Sequence, residues 1–136
     1  ILAGIGRGQM TILDSHVAKR RANHELYVNA FEHIDEITFL SEPEGYFSNR
    51  WLSCILLDSK NTRESLRLAL EKENIESRPL WKPMHQQPIF KNYPSYLNGV
   101  SDELFEKGLC LPSGSNLTDN ELNRVVSAIN TYFVSC

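Results

Sequence analysis

Two prolines four residues apart, Pro79 and Pro83, constrain this chain more than any other feature. Each fixes its own φ, lacks a backbone donor and pushes the residue before it toward extended geometry. The segment Arg78-Pro79-Leu80-Trp81-Lys82-Pro83-Met84-His85 therefore cannot be helix interior. It follows a predicted strand and presents Trp81, Lys82 and His85 from a stiff loop, the kind of place where binding groups concentrate. The plainer reading of the same residues is a proline-rich turn with a buried Trp81 and two solvated cations.

At 136 residues the chain has the size of one domain and is long enough for a real hydrophobic core. The net charge of −3 and pI near 5.8 argue against a nucleic-acid surface, because no basic excess is available to neutralise phosphates. Lys19-Arg20-Arg21 is the only basic cluster, and it is short. No apolar run reaches the length of a membrane span and no signal-peptide pattern opens the chain. Cys54, Cys110 and Cys136 show no CxxC spacing, and the first two lie inside apolar strand-like runs as small hydrophobes. A cytoplasmic location follows as the expectation. Asn116-Leu117-Thr118 matches a glycosylation sequon, by accident in that compartment. Ile1-Leu2 begin in mid-pattern, so a piece of a longer protein is expected.

Residues 1–34 read as a long helix. Met10, Leu13, Val17, Tyr27, Phe31 and Ile34 follow an alternating three-four spacing, with Arg20 and His24 in the stripe. Gly4 and Gly8 share one face and would admit a close backbone; alternatively the helix begins only near Thr11. Trp51 to Leu57 reads as a largely buried strand. Asn61 and Glu64 are the expected N-cap and capping-box partner of a helix carrying Leu66, Ala69 and Leu70 and ending near Asn74. Residues 75–80 read as a second strand. A short helix opens at Val100 and is stopped by Gly108; Leu109-Cys110-Leu111 is a brief strand stopped by Pro112. Thr118 and Glu121 form a capping box before a helix that buries Leu122, Val125, Val126, Ile129 and Phe133. The order predicts an α+β fold with helices on one side of a small sheet.

Familiar catalytic patterns fail. Gly4-Ile5-Gly6-Arg7-Gly8-Gln9 breaks the dinucleotide-loop spacing, and no Lys-Ser/Thr follows. His16, His24 and His33 lack the i, i+4 pairing of a zinc helix and read as surface or interface residues, with His24 a satisfied polar group in the seam. Cys54 and Cys110 look too buried to pair with His85 as nucleophiles. Ser113-Gly114-Ser115 has the wrong frame for a serine elbow. Lys82 beside Trp81 and His85 is a solvated or substrate-facing cation, since no phosphate cradle or acid for a cofactor ring stands near it in sequence.

The residues from Arg78 to His85, then Gln87-Pro88, together with Gly108-Leu109-Cys110-Leu111-Pro112-Ser113-Gly114 and Asn116-Leu117-Thr118, closely resemble one family. These are the DegT/DnrJ/EryC1/StrS sugar aminotransferases, which depend on pyridoxal 5'-phosphate. Leu2 to Gln9 resembles the segment just after that family's cofactor-binding domain, and the likeness spans essentially the whole chain. It implies the small C-terminal domain of a fold-type I aminotransferase that works as a cytoplasmic homodimer. Residues 1–34 would link to the cofactor-binding domain, and residues 35–136 would form the small domain. It further implies amino transfer from glutamate to a 4-keto-6-deoxy nucleotide sugar, often carried on UDP, in surface polysaccharide or glycan synthesis.

The family's Schiff-base lysine and most cofactor ligands would lie upstream of Ile1. The chain alone is therefore expected to be inactive, with no catalytic residue and no metal site of its own. By the resemblance, His85 stands near the sugar nucleotide's diphosphate, and Arg7 is a candidate for the same anion. Trp81, Lys82 and Gln86 would line the sugar end; for Arg78 a structural ion pair is an equal alternative. The competing expectation is a non-catalytic α+β binding or interaction module, or a truncated relic.

Overall fold

The computed structural model describes residues 1–134; the expectation for Cys136 lies outside them. Helix α1 spans Leu2–Phe31, strand β1 Ile37–Phe39, β2 Ser53–Leu57 and α2 Lys60–Lys72. Strand β3 is Arg78–Pro79, followed by 3₁₀ turns at Met84–Gln86 and Pro88–Phe90. Helix α3 (Val100–Lys107) runs into β4 (Gly108–Leu111), and α4 (Asp119–Val134) follows. The strands form one antiparallel sheet in the order β1-β2-β4-β3. The expected α+β architecture is observed, with its long N-terminal helix and small sheet.

Alternation along β2 explains the layering. Ser53, Ile55 and Leu57 are buried while Cys54 and Leu56 are only partly so. Ile55 and Leu57 join Leu109 and Leu111 of β4 against Tyr27 and Phe31 of α1, Leu66 and Leu70 of α2, and Leu122, Val125 and Ile129 of α4. One face of the sheet therefore carries the core, as period-two alternation requires. On the other face the antiparallel register sets Cys54 opposite Cys110, and Cys110 opposite Arg78. Cys54 Sγ lies 3.6 Å from Cys110 Sγ. That contact, with burial, pushes the Cys54 thiol above its usual range.

Several local expectations are corrected. Helix α1 begins at Leu2 with its glycines inside it, and nothing approaches Gly4 or Gly8. Only its C-terminal half is buried, through Asn23, His24, Tyr27 and Phe31; Met10 and Leu13 are exposed because no described element covers them. The short strand β1 goes unforeseen, since three residues are too few to show a period. Ser59, not Asn61, caps α2, its hydroxyl accepting from Thr62 N at 3.1 Å. Glu64 is drawn away to Arg63 and Arg67 (2.6 and 2.7 Å). At the other end Asn74 takes a left-handed φ of 54°, and Ile75 N donates to Leu70 O, which closes α2. The strand expected over residues 75–80 shrinks to Arg78–Pro79, although Leu80 N still donates to Gly108 O. His24 is not satisfied: it is buried with its ring edge-on to Phe39, and its Nδ1 has no hydrogen-bond partner.

The Thr118–Glu121 box forms as expected. Glu121 Oε2 accepts from Thr118 N at 2.8 Å, and Thr118 Oγ1 accepts from Glu121 N at 3.3 Å. Arg20, in the expected stripe, donates to the Ser113 carbonyl (3.2 Å) and to the Trp51 carbonyl, fastening α1 to the ends of two neighbouring strands.

Candidate functional site

The two prolines shape the loop after β3. Pro83 is buried with an extended ψ of 145°, and its carbonyl accepts from Gln86 N at 3.0 Å. The resulting 3₁₀ turn, Met84–Gln86, puts His85 and Gln86 side by side. Gln87 Nε2 closes the turn on the Lys82 carbonyl at 3.2 Å.

His85 and Gln86 converge on one carboxylate. His85 Nε2 lies 2.7 Å from Asp102 Oδ1, and Gln86 Nε2 donates to the same oxygen. Because an ionised carboxylate only accepts, the contact assigns the Nε2 proton of His85 to this bond. The hydrogen bond from Gln86, then that from His85, holds the Asp102 carboxyl below its ordinary range. Asp102 occupies the first turn of α3, where the helix dipole favours a negative charge. That turn depends on Gly99, whose φ of 82° few other residues would adopt, and on Asn98, whose side chain accepts from Val100 N.

Trp81 goes elsewhere. Its ring lies 5.8 Å from that of Trp51, tilted by 30°, and both are more than half exposed (65% and 61%). Trp51 is thus not part of the buried strand, and Trp81 is not the buried residue of a plain turn. The pair lines a cleft of about 740 Å³, together with Arg78, Cys110, Glu121 and Arg124. Arg78 is engaged locally: its Nε donates to Glu76 Oε1 at 2.7 Å.

The structure therefore divides the expected site residues. His85 and Gln86 share one partner, Trp81 belongs to the cleft, and the Lys82 side chain is exposed between them. Arg7 lies in the exposed half of α1, and no hydrogen bond or ion pair ties it to the loop. Asp102 and Trp51 escaped the sequence reading. Asp102 is separated from His85 by 17 residues of mostly irregular chain, so no motif spacing marks it. Trp51 was hidden by its place at the head of an apolar run.

The DegT/DnrJ/EryC1/StrS aminotransferase family model matches residues 1–130. EpsN of Bacillus subtilis (strain 168), assigned by name to the pyridoxal phosphate-dependent aminotransferases, is 43% identical over 95% of this chain and 34% of its own length. A GDP-perosamine synthase of Vibrio cholerae is 28% identical over 98% of this chain and 37% of its own. Among solved structures, aminotransferase TlmJ of Streptoalloteichus hindustanus superposes with a TM-score of 0.89 at 22% identity, over 98% of this chain and 36% of that one. The chain spans about a third of the length of the curated relatives it matches.

Proposed function

Since the chain belongs to the DegT/DnrJ/EryC1/StrS aminotransferase family, we propose that it is the substrate-side, C-terminal part of a pyridoxal phosphate-dependent sugar aminotransferase. The whole enzyme moves an amino group from glutamate to a 4-keto-6-deoxy sugar on a nucleoside diphosphate, for surface polysaccharide or glycan synthesis. The family match over residues 1–130 carries this reading. In it, residues 1–34 lead from the cofactor-binding domain, and residues 35–136 form the small domain. The C-terminal half of α1 is rooted in that small domain's core by Tyr27 and Phe31.

The chain's own residues do not fit the cofactor. A lysine that reacts as a free amine must be desolvated or otherwise held neutral. Lys19, Lys60, Lys72, Lys82 and Lys91 are exposed, and half-buried Lys107 is paired with Glu103 at 2.8 Å. No cofactor step is assigned to this chain. Its contribution is recognition of the sugar nucleotide. His85 offers a ring nitrogen to a diphosphate oxygen, with Arg7 as a second cation for that anion. Gln86, Lys82 and the open ring of Trp81 serve the sugar end. The apolar surface left on α1 by Leu2, Ile5, Met10 and Leu13 is the face that the rest of a homodimeric enzyme would cover.

The test uses the native full-length protein, assayed with glutamate and with keto-sugars on UDP and on GDP, the carrier named in the perosamine synthases. His85→Ala should raise the KM for the sugar nucleotide more than it slows the glutamate half-reaction. Equal loss in both halves would sink the assignment.

A further inference from the structure

The contact that joins the Met84–Gln86 turn to α3 has a consequence for recognition, and it rests on the sugar-nucleotide reading above. We propose that Asp102 is the positioning residue of the substrate-side turn: by accepting from His85 Nε2 and Gln86 Nε2 on one oxygen, it leaves His85 Nδ1 as the nitrogen that meets the substrate's anion.

Three observations converge on this. Both donors reach the same Oδ1, so His85 and Gln86 cannot rotate independently without losing a shared acceptor. His85 and Asp102 are each partly shielded, with side chains 19% and 31% exposed, so the pair is neither closed off nor fully in solvent. The carboxylate belongs to a regular helix whose start is fixed by Gly99 and Asn98, whereas the groups it holds belong to a 3₁₀ turn. A turn alone would let the imidazole sample several rotamers; anchoring it on a helix restricts that choice before any ligand arrives, and a preorganised contact loses less entropy on binding.

The same oxygen pattern also specifies ring chemistry. With Nε2–H committed to Asp102, a neutral His85 presents Nδ1 as an acceptor, and a protonated one presents Nδ1–H as a donor. With Nε2–H held by Asp102, only a protonated ring donates from Nδ1 to a phosphate oxygen. Asp102 thus acts through His85 and need not touch the substrate itself.

Asp102→Asn in the native full-length protein keeps the shape but removes the charge. The expected result is a rise of roughly ten- to a hundred-fold in the KM for the sugar nucleotide, with the glutamate half-reaction and the melting temperature little changed. Asp102→Glu should restore part of the loss. Parallel loss in both half-reactions, or a melting temperature that falls as the KM rises, would make Asp102 a structural staple and overturn the proposal. The second readout is the imidazole ¹⁵N spectrum of His85, which reports its tautomer without any substrate. A neutral ring protonated at Nε2 that loses this preference in Asp102→Ala, which removes the acceptor, supports the positioning role; an unchanged tautomer overturns it. A wild-type protein that aminates no nucleotide-linked keto-sugar would defeat the functional reading separately, and the tautomer would then decide the role of Asp102 by itself.

Discussion

Leu80 occupies the space beside Gly108 that any larger residue there would need. A Cβ on Gly108 would fall within the Leu80 side chain and 2.5 Å from the Leu104 carbonyl oxygen. The backbone of Gly108 is ordinary (φ −85°, ψ 137°), so glycine serves space here, not conformational freedom. Its close approach lets α3 turn directly into β4 while Leu80 N bonds to the Gly108 carbonyl. Gly108→Ala should therefore lower stability by about 1–3 kcal/mol in a urea titration. An unshifted midpoint would mean that Leu80 and the end of α3 move aside freely.

The cap of α2 offers a sharper comparison. Ser59→Ala removes the side-chain acceptor for Thr62 N and should cost about 0.5–2 kcal/mol. Asn61→Ala, inside the first turn, should change stability by less than about 0.5 kcal/mol. The reverse order would restore the sequence-based assignment of the cap to Asn61.

The two halves of α1 should respond differently to truncation of side chains. Phe31, buried in the core by the C-terminal half of α1, sets the scale: Phe31→Ala should cost about 3–5 kcal/mol. Met10→Ala and Leu13→Ala should stay within about 0.5 kcal/mol in this chain. Their exposed stripe should show instead as concentration-dependent self-association in sedimentation, weakened by Leu13→Lys. A strictly monomeric chain at high concentration would remove that part of the argument.

Acid should find His24. Burial, then the like charges of Arg50 and Arg21, hold its pKa below the ordinary value of about 6.5, against the weaker pull of Glu25 and Glu42. Below that ordinary value the unfolded chain binds the proton more readily than the folded one. Stability present above about pH 6.5 is therefore lost as the pH falls toward the folded pKa. Thermal melts between about pH 5.5 and 7.5 should show this slope, and His24→Gln should flatten it. A slope that survives the substitution would assign it to another group.

What the sequence by itself determined was local. The Thr118–Glu121 box, the stripe of α4 and the stops at Gly108 and Pro112 depend on residues within one or two turns of each other, so spacing alone exposed them. The tryptophan–proline–histidine segment likewise announced a stiff loop, because proline acts on its own backbone and its neighbour's. Tertiary structure decided everything that required two distant segments to meet. Periodicity marks which face of α1 prefers burial, but only packing shows that Tyr27 and Phe31 find a core while Met10 and Leu13 do not. The antiparallel register set Cys54 against Cys110, and the path of the 91–99 loop carried Asp102 back to His85. A sequence states what each residue would accept as a neighbour; which neighbour arrives is settled by chain path and register, and no spacing along the chain encodes either.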